Sequence, residues 1–234
     1  MFIQSPSRFV GVLLSLWIPT SSALADEPEA RSRERRAAQS ALAALDDGAR
    51  KLQVVWPEGR SAPTLVAGLA VTSPGDQPLA RAQSFLSRWS ALTALRPDEL
   101  RLSAVETAGD RTTVRYRQVV DGLPVQGRSL AITVEGTKII SLVSDAVPLT
   151  VVDRATIDAE TARVLAVQAV FGAGPEAPSL EIATQATKLI AANGDRGVEA
   201  FQVFVARRPL LEHLEVLVDA HQGRVIGIAD RVVR

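Results

Sequence analysis

The sequence predicts an α+β protein made of two units, each a helix followed by an antiparallel β-meander. Three observations carry that reading. Apolar stripes at helical spacing occur twice, over Leu79–Leu92 and Ala162–Val170. Each is followed by runs of alternating polar and β-branched residues, punctuated by Asp-Gly, Glu-Gly and Gln-Gly turns. Between the two patterns, Pro148 breaks the chain.

In chain order, the first segment reads as a secretory signal peptide over residues 1–25. Arg8 gives a positive start, and Phe9–Ile18 is an apolar run too short to span a bilayer. Ala23-Leu24-Ala25 then supplies a small-x-small cleavage site. This predicts export to the periplasm or beyond the cell, with cleavage after Ala25 and no membrane attachment afterwards. Residues 26–50 form a predicted helical arm in which Ala38, Ala41, Leu42 and Leu45 share a face. Its basic run, Arg31 to Arg36, reads as a solvated face or loose arm rather than a binding patch.

The first unit is expected over 51–147. Leu52–Trp56 and Thr64–Leu69 read as a strand pair. Asp76 is the expected N-cap of a helix with Pro78 in its first turn, where a missing N–H does no harm. Leu79, Ala82, Phe85, Leu86, Trp89 and Leu92 make the core stripe, and Pro97 ends the helix. Strands are expected at Leu100–Val105, Thr112–Val120, Ser129–Glu135 and Lys138–Val143. Asp121-Gly122 forms a tight turn between two of them. Pro124 cannot donate to a ladder, so it belongs at an edge or a bulge.

Residues 148–154 read as a linker and 155–234 as the second unit. Asp158 is positioned to cap a helix with Glu160 in its first turn. Its stripe is Ala162, Leu165, Ala166, Ala169 and Val170, ended by Gly172-Ala173-Gly174-Pro175. Strands are expected at Leu180–Ala183, Lys188–Ala192, Val198–Arg207, Leu211–Ala220 and Arg224–Ala229, with Gly223 in a turn needing positive φ.

Composition narrows the function. Lys and Arg number 26 and so do Asp and Glu, and removing Arg8 with the signal peptide leaves a formal charge of −1. Such a balance sets up no field for nucleic acid or anionic membrane. With no cysteine there is neither a disulfide nor a thiolate nucleophile. The two histidines, His213 and His221, belong to no H-E-x-x-H helix. His213 reads as a strand residue and His221 as a solvated turn residue. No serine stands in G-x-S-x-G, and the glycines of 172–174 follow a helix rather than joining a strand to one. No catalytic, metal-binding or cofactor-binding residue is expected. The chain reads as a binder.

Arg115-Tyr116-Arg117-Gln118 followed by Asp121-Gly122-Leu123-Pro124-Val125-Gln126-Gly127 resembles the R-Y-x-Q…x-G-x-P-V-x-G signature of the fungalysin/thermolysin propeptide (FTP) domain. Ile157–Ala162 looks like the opening of a PepSY domain. Leu214–Ala220 with Gln222-Gly223-Arg224-Val225 resembles its closing V-D-A-x-x-G-x-V hairpin. That tandem is the propeptide of thermolysin-like zinc metalloproteases. The resemblance implies two cystatin-like domains that assist folding of the protease catalytic domain and inhibit it. Here the sequence ends at Arg234, where the family's catalytic domain would begin, so peptidase activity is not implied.

A partner-binding surface is accordingly expected at Tyr116, Gln118, Gly122, Pro124, Val125 and Gly127, with Val232, Val233 and Arg234 entering the protease cleft. For the hairpin residues, closing their own sheet is an equally weighted alternative. Three functional readings stay open at this point: an inhibitor or foldase acting in trans, the front part of a longer proprotease, and an exported FTP/PepSY module with an unrelated partner.

Overall fold

The computed structural model describes residues 27–46, 48, 51–172, 183–207 and 212–230, with only the backbone described at 27, 28, 207, 212 and 213. The expected signal peptide, the start of the 180–183 strand, the His213 side chain and the Val232–Arg234 tail lie outside the described residues.

Helix α1 runs from Glu27 to Leu45 and lays Ala41, Leu42 and Leu45 on the first core, with Ala38 of the same face also buried, as their spacing predicts. It is not a loose arm. Arg35 stacks on Trp56, 5.0 Å from the ring centroid, and donates to the Arg60 carbonyl at 3.3 Å. Arg31 pairs with Asp195 in the second unit.

The first sheet has the order β1(Gln53–Val55), β2(Leu65–Thr72), β6(Lys138–Ser144), β5(Leu123–Glu135), β4(Arg111–Val120), β3(Leu100–Ala108), all antiparallel. Helix α2 (Pro78–Arg88) lies across it and continues into a 3-10 turn at Ser90–Leu92. Phe85, Leu86 and Leu92 meet Val66, Leu130, Ile132, Ile139 and Leu142 in the first core, while Leu79 and Trp89 pack at its margin. The sequence stripe is therefore the buried face. The cap differs: Gln77 is the N-cap, with no side-chain capping bond, and Asp76 lies one residue outside. Gly75 turns the chain with φ +131° immediately before it, which places the helix start one residue later than the capping preference of Asp76 implies.

The second sheet runs β8(Thr187–Asn193), β9(Arg196–Arg207), β10(Glu212–Asp219), β11(Val225–Asp230). The expected linker is a strand over its middle residues: β7 (Thr150–Asp153) pairs parallel with the start of β9. Helix α3 (Ala159–Phe171) covers one face. Asp158 caps it as expected, its Oδ1 accepting from the Thr161 N–H at 2.8 Å. The backbone N–H bond to Asp158, the largest cause, holds its carboxyl below the usual carboxylate range. Ala162, Ala166 and Val167 are buried against Phe201, Val203, Val205, Val216 and Val218, with Leu165 and Val170 partly buried. Ala169, expected in the stripe, is exposed and Val167 takes its place.

The protein is thus α+β, two antiparallel meanders each packed against one main helix. The two sheets touch through β5 and β8.

Candidate functional site

The hairpin β4–β5 explains why its sequence is so closely specified. Asp121 (φ +50°) and Gly122 (φ +80°) are its two turn residues. Positive φ at both is the pattern of a type I′ turn, whose twist matches that of the flanking strands. Val120 faces Leu123, and Val119 faces Pro124. Then the register slips. Arg117 faces Ser129 while Val119 faces Pro124, so residues 125–128 oppose Gln118 alone. Gly127, at φ +65°, provides the backbone kink inside this bulge.

The bulge carries Val125 out of the first ladder and into a parallel bridge with Ile190 of β8. On the other side of β8, Gly197 of β9 lies under the Ile190 side chain, and a Cβ there would fall 2.6 Å from an Ile190 methyl, so glycine leaves that side chain its room. The motif residues therefore build the joint between the two units.

Gln118, 0% exposed, anchors the last residue of the first unit. Its Nε2 donates to the Val147 carbonyl at 2.5 Å, and its Oε1 accepts from the Val147 N–H at 3.2 Å. The amide thus replaces a strand partner for the residue that leads out of the first unit.

Two buried glutamates complete the joint. Glu215 is 1% exposed, and its Oε1 accepts 2.7 Å bonds from Gln126 of the hairpin and from Gln202 of β9. A cleft of about 240 Å³ opens beside it, walled by Arg117, Pro124, Gly127, Leu189 and Gln202. Glu199, 3% exposed, accepts from Arg154 at 3.2 Å, from the Ala155 N–H at 2.9 Å and from Lys188 at 2.6 Å. Arg154 also reaches Asp121 at the hairpin tip, at 2.8 Å, so one guanidinium spans both units.

Burial pushes the Glu199 carboxyl up, but Lys188, the Ala155 N–H and Arg154 outweigh it and hold the carboxyl below its usual range. A depressed folded value means that the stabilisation is complete above the ordinary glutamate range, near pH 4.3, and is lost as pH falls below it. Melting temperatures of wild type and Glu199→Gln, measured from pH 7 to 3, should therefore converge in the acid range. A constant gap between the two at every pH would contradict this role.

The nine residues expected to bind a partner are distributed unevenly. Gly122 and Gly127 are exposed and Pro124 is half-buried. Tyr116, Gln118 and Val125 are buried and offer no outer surface. Val232, Val233 and Arg234 lie outside the described residues. His221 occupies the expected turn, but its Nδ1 lies 3.2 Å from the Arg154 carbonyl, so water is not its only neighbour.

Sequence reasoning missed Gln126, Arg154, Glu199, Gln202 and Glu215. A polar residue in a strand ordinarily faces water; here Glu215 is met by Gln126 from the first sheet, while Glu199 is covered by Lys188, Arg154 and the Ala155 N–H of its own unit. The signal that was present is the pair Glu199 and Glu215, charged residues set inside otherwise apolar strands.

Among the described residues there is no group of three or more histidine, cysteine, aspartate or glutamate side chains placed to hold a metal ion. No described helix is long and apolar enough to cross a membrane.

The fold and the joint define a class, an α+β protein of two meander-and-helix units fastened by one hairpin. No protein-family model matches the chain, so the FTP and PepSY resemblances rest on the motif residues alone. No curated protein matches it. A solved structure, the Bacillus megaterium YpeB C-terminal domain, is similar over 85% of this chain and 96% of that one, at 10% identity and a TM-score of 0.38. A likeness at that score carries no argument about function.

Proposed function

We propose that the chain is a propeptide-like protein that binds a thermolysin-like zinc metalloprotease, inhibiting it and assisting its folding. One observation supports this reading above the others: the residues that resemble the FTP signature fasten two α+β units to each other. A chaperone that stabilises a native-like partner by mass action gains from such fixity, because little ordering remains to oppose binding. The partner-facing part of the hairpin is then Gly122, Pro124 and Gly127, at the exposed rim of the joint.

The C-terminal tail is the second contact. Val232 and Val233 suit the apolar specificity pocket that such proteases possess by family resemblance, with Arg234 beside them in the cleft. Asp230 pairs with Leu214 in the last ladder, so a clean truncation begins at Arg231.

Titration of the full chain and of a form lacking residues 231–234 against a thermolysin-like enzyme tests the proposal. The full chain should inhibit, and the truncated form should inhibit less while keeping the same melting temperature, since the last few residues of a chain ordinarily carry little stability. Equal inhibition by both forms would remove the tail from the mechanism. Failure of both to inhibit would favour an FTP/PepSY-like module with another partner.

A further inference from the structure

Two arginines far apart in sequence are gathered on one short stretch of main chain. Arg60 comes from the turn between β1 and β2, and Arg128 from β5, directly after the Gly127 kink. Arg60 donates through Nη2 to the Ala146 carbonyl at 2.6 Å, and Arg128 through Nη1 to the neighbouring Asp145 carbonyl at 3.0 Å. Arg128 Nη2 also reaches the Gly194 carbonyl of the second unit, at 3.4 Å. Among the described residues neither guanidinium is paired with a carboxylate.

The two cations act on each other. Burial first, and then the Arg128 charge, lower the Arg60 pKa below the usual arginine range; the Asp145 carboxylate works the other way, but by less. An arginine keeps its proton even so. The pair is therefore a concentrated positive charge whose bonded partners are neutral carbonyls. Both side chains line a cleft of about 290 Å³ between the units, walled also by Val147, Gly194 and Asp195. Arg60 Nε is enclosed and out of a ligand's reach. Arg60 Nη1 and Arg128 Nε are not enclosed, and neither makes a hydrogen bond among the described residues. They are open donors on two held cations.

The acids of the cleft leave that charge unanswered. Asp195 is held by Arg31 of α1. Glu34 and Glu58 stand on the wall without pairing to an arginine among the described residues, so they oppose an entering anion rather than replace it. An apolar or cationic ligand would leave the open donors unmatched. A carboxylate or phosphate oxygen would receive charge-assisted bonds from both.

We propose that this cleft binds an oxyanion, a phosphate or a carboxylate group, through Arg60 Nη1 and Arg128 Nε. Its volume suits a small anion or a single acidic side chain. The site uses none of the residues of the protease contact and stands without that reading.

The probes are inorganic phosphate and N-acetylglutamate N′-methylamide, a capped residue whose only charge is its carboxylate. Each is titrated into the isotopically labelled full chain at matched ionic strength and followed by amide shifts. Saturable shifts should centre on residues 60–61, 128, 145–147 and 194–195 for at least one probe, and the tighter of the two identifies the source of the anion. Arg128→Gln should weaken that binding about ten- to a hundredfold, the loss of a charge-assisted bond. Arg128→Lys keeps the charge without the fork, should fall between, and covers the case in which the first variant folds poorly. Glu58→Gln, at an exposed wall position, should tighten binding. Arg33 and Arg36, exposed on α1 and outside the cleft, are the control: replacing both by glutamine should change nothing. No saturable shift with either probe, unchanged affinity in Arg128→Gln, weaker binding in Glu58→Gln, or an equal loss in the Arg33 and Arg36 double variant would each overturn the proposal.

Discussion

Replacing Gln118 by leucine is expected to destabilise the protein by about 2–4 kcal/mol, although leucine is apolar and the site is fully buried. The reason is the other side of each bond. Leucine fills most of the space but leaves the Val147 N–H and C=O without the amide that satisfied both. Each orphaned backbone group costs about 1–3 kcal/mol, less where water can reach it, and Val147 is half-buried. Denaturant melts should show the shift in midpoint. Gln118→Glu is the informative companion: its carboxylate still accepts from the Val147 N–H but cannot donate to the carbonyl. Its loss should be of similar size or larger, since it also buries a charge.

Gly122→Val should cost about 1–2 kcal/mol or more by a purely conformational route. A Cβ at Gly122 would meet nothing within 4 Å, so steric contact contributes nothing. The penalty comes from φ +80°, which a β-branched residue resists. Gly122→Asn separates the two explanations, because asparagine tolerates the left-handed region and should lose much less. Thermal melts of the three proteins should rank wild type, Asn, Val. An unchanged melting temperature for Gly122→Val would mean that the turn is not type I′. A loss would also propagate, since the turn positions Asp121 for Arg154 across the joint.

What the sequence made legible was local. The stripe Leu79–Leu92 and the cap Asp158 could be read because a helix imposes its period and its end chemistry on adjacent residues. The turn at Asp121-Gly122 was readable for the same reason, as two residues with one conformational demand. What escaped was decided by distant partners. Thr150–Asp153 has too few residues to show a period, and it becomes a strand only because β9 lies alongside. Val125 and Gln126 look like the continuation of a hairpin, yet the bulge delivers them to β8 and to Glu215. Arg31 belonged to a run that resembled any solvated helix face until Asp195 appeared opposite it. The placement of Tyr116 and Gln118 was harder still. Their motif positions suggested surface, and nothing in the local pattern distinguishes a residue that touches a partner from one that holds the hairpin touching it.

The central claim is that the Arg115–Gly127 segment fastens two units into one cooperative body. Differential scanning calorimetry of the wild type and of Gln118→Leu tests it most directly. The wild type should unfold in one transition whose calorimetric and van't Hoff enthalpies agree, and Gln118→Leu should broaden or split that transition as the units come apart. Two separable transitions in the wild type, or a single undivided transition at an unchanged temperature in Gln118→Leu, would contradict the account.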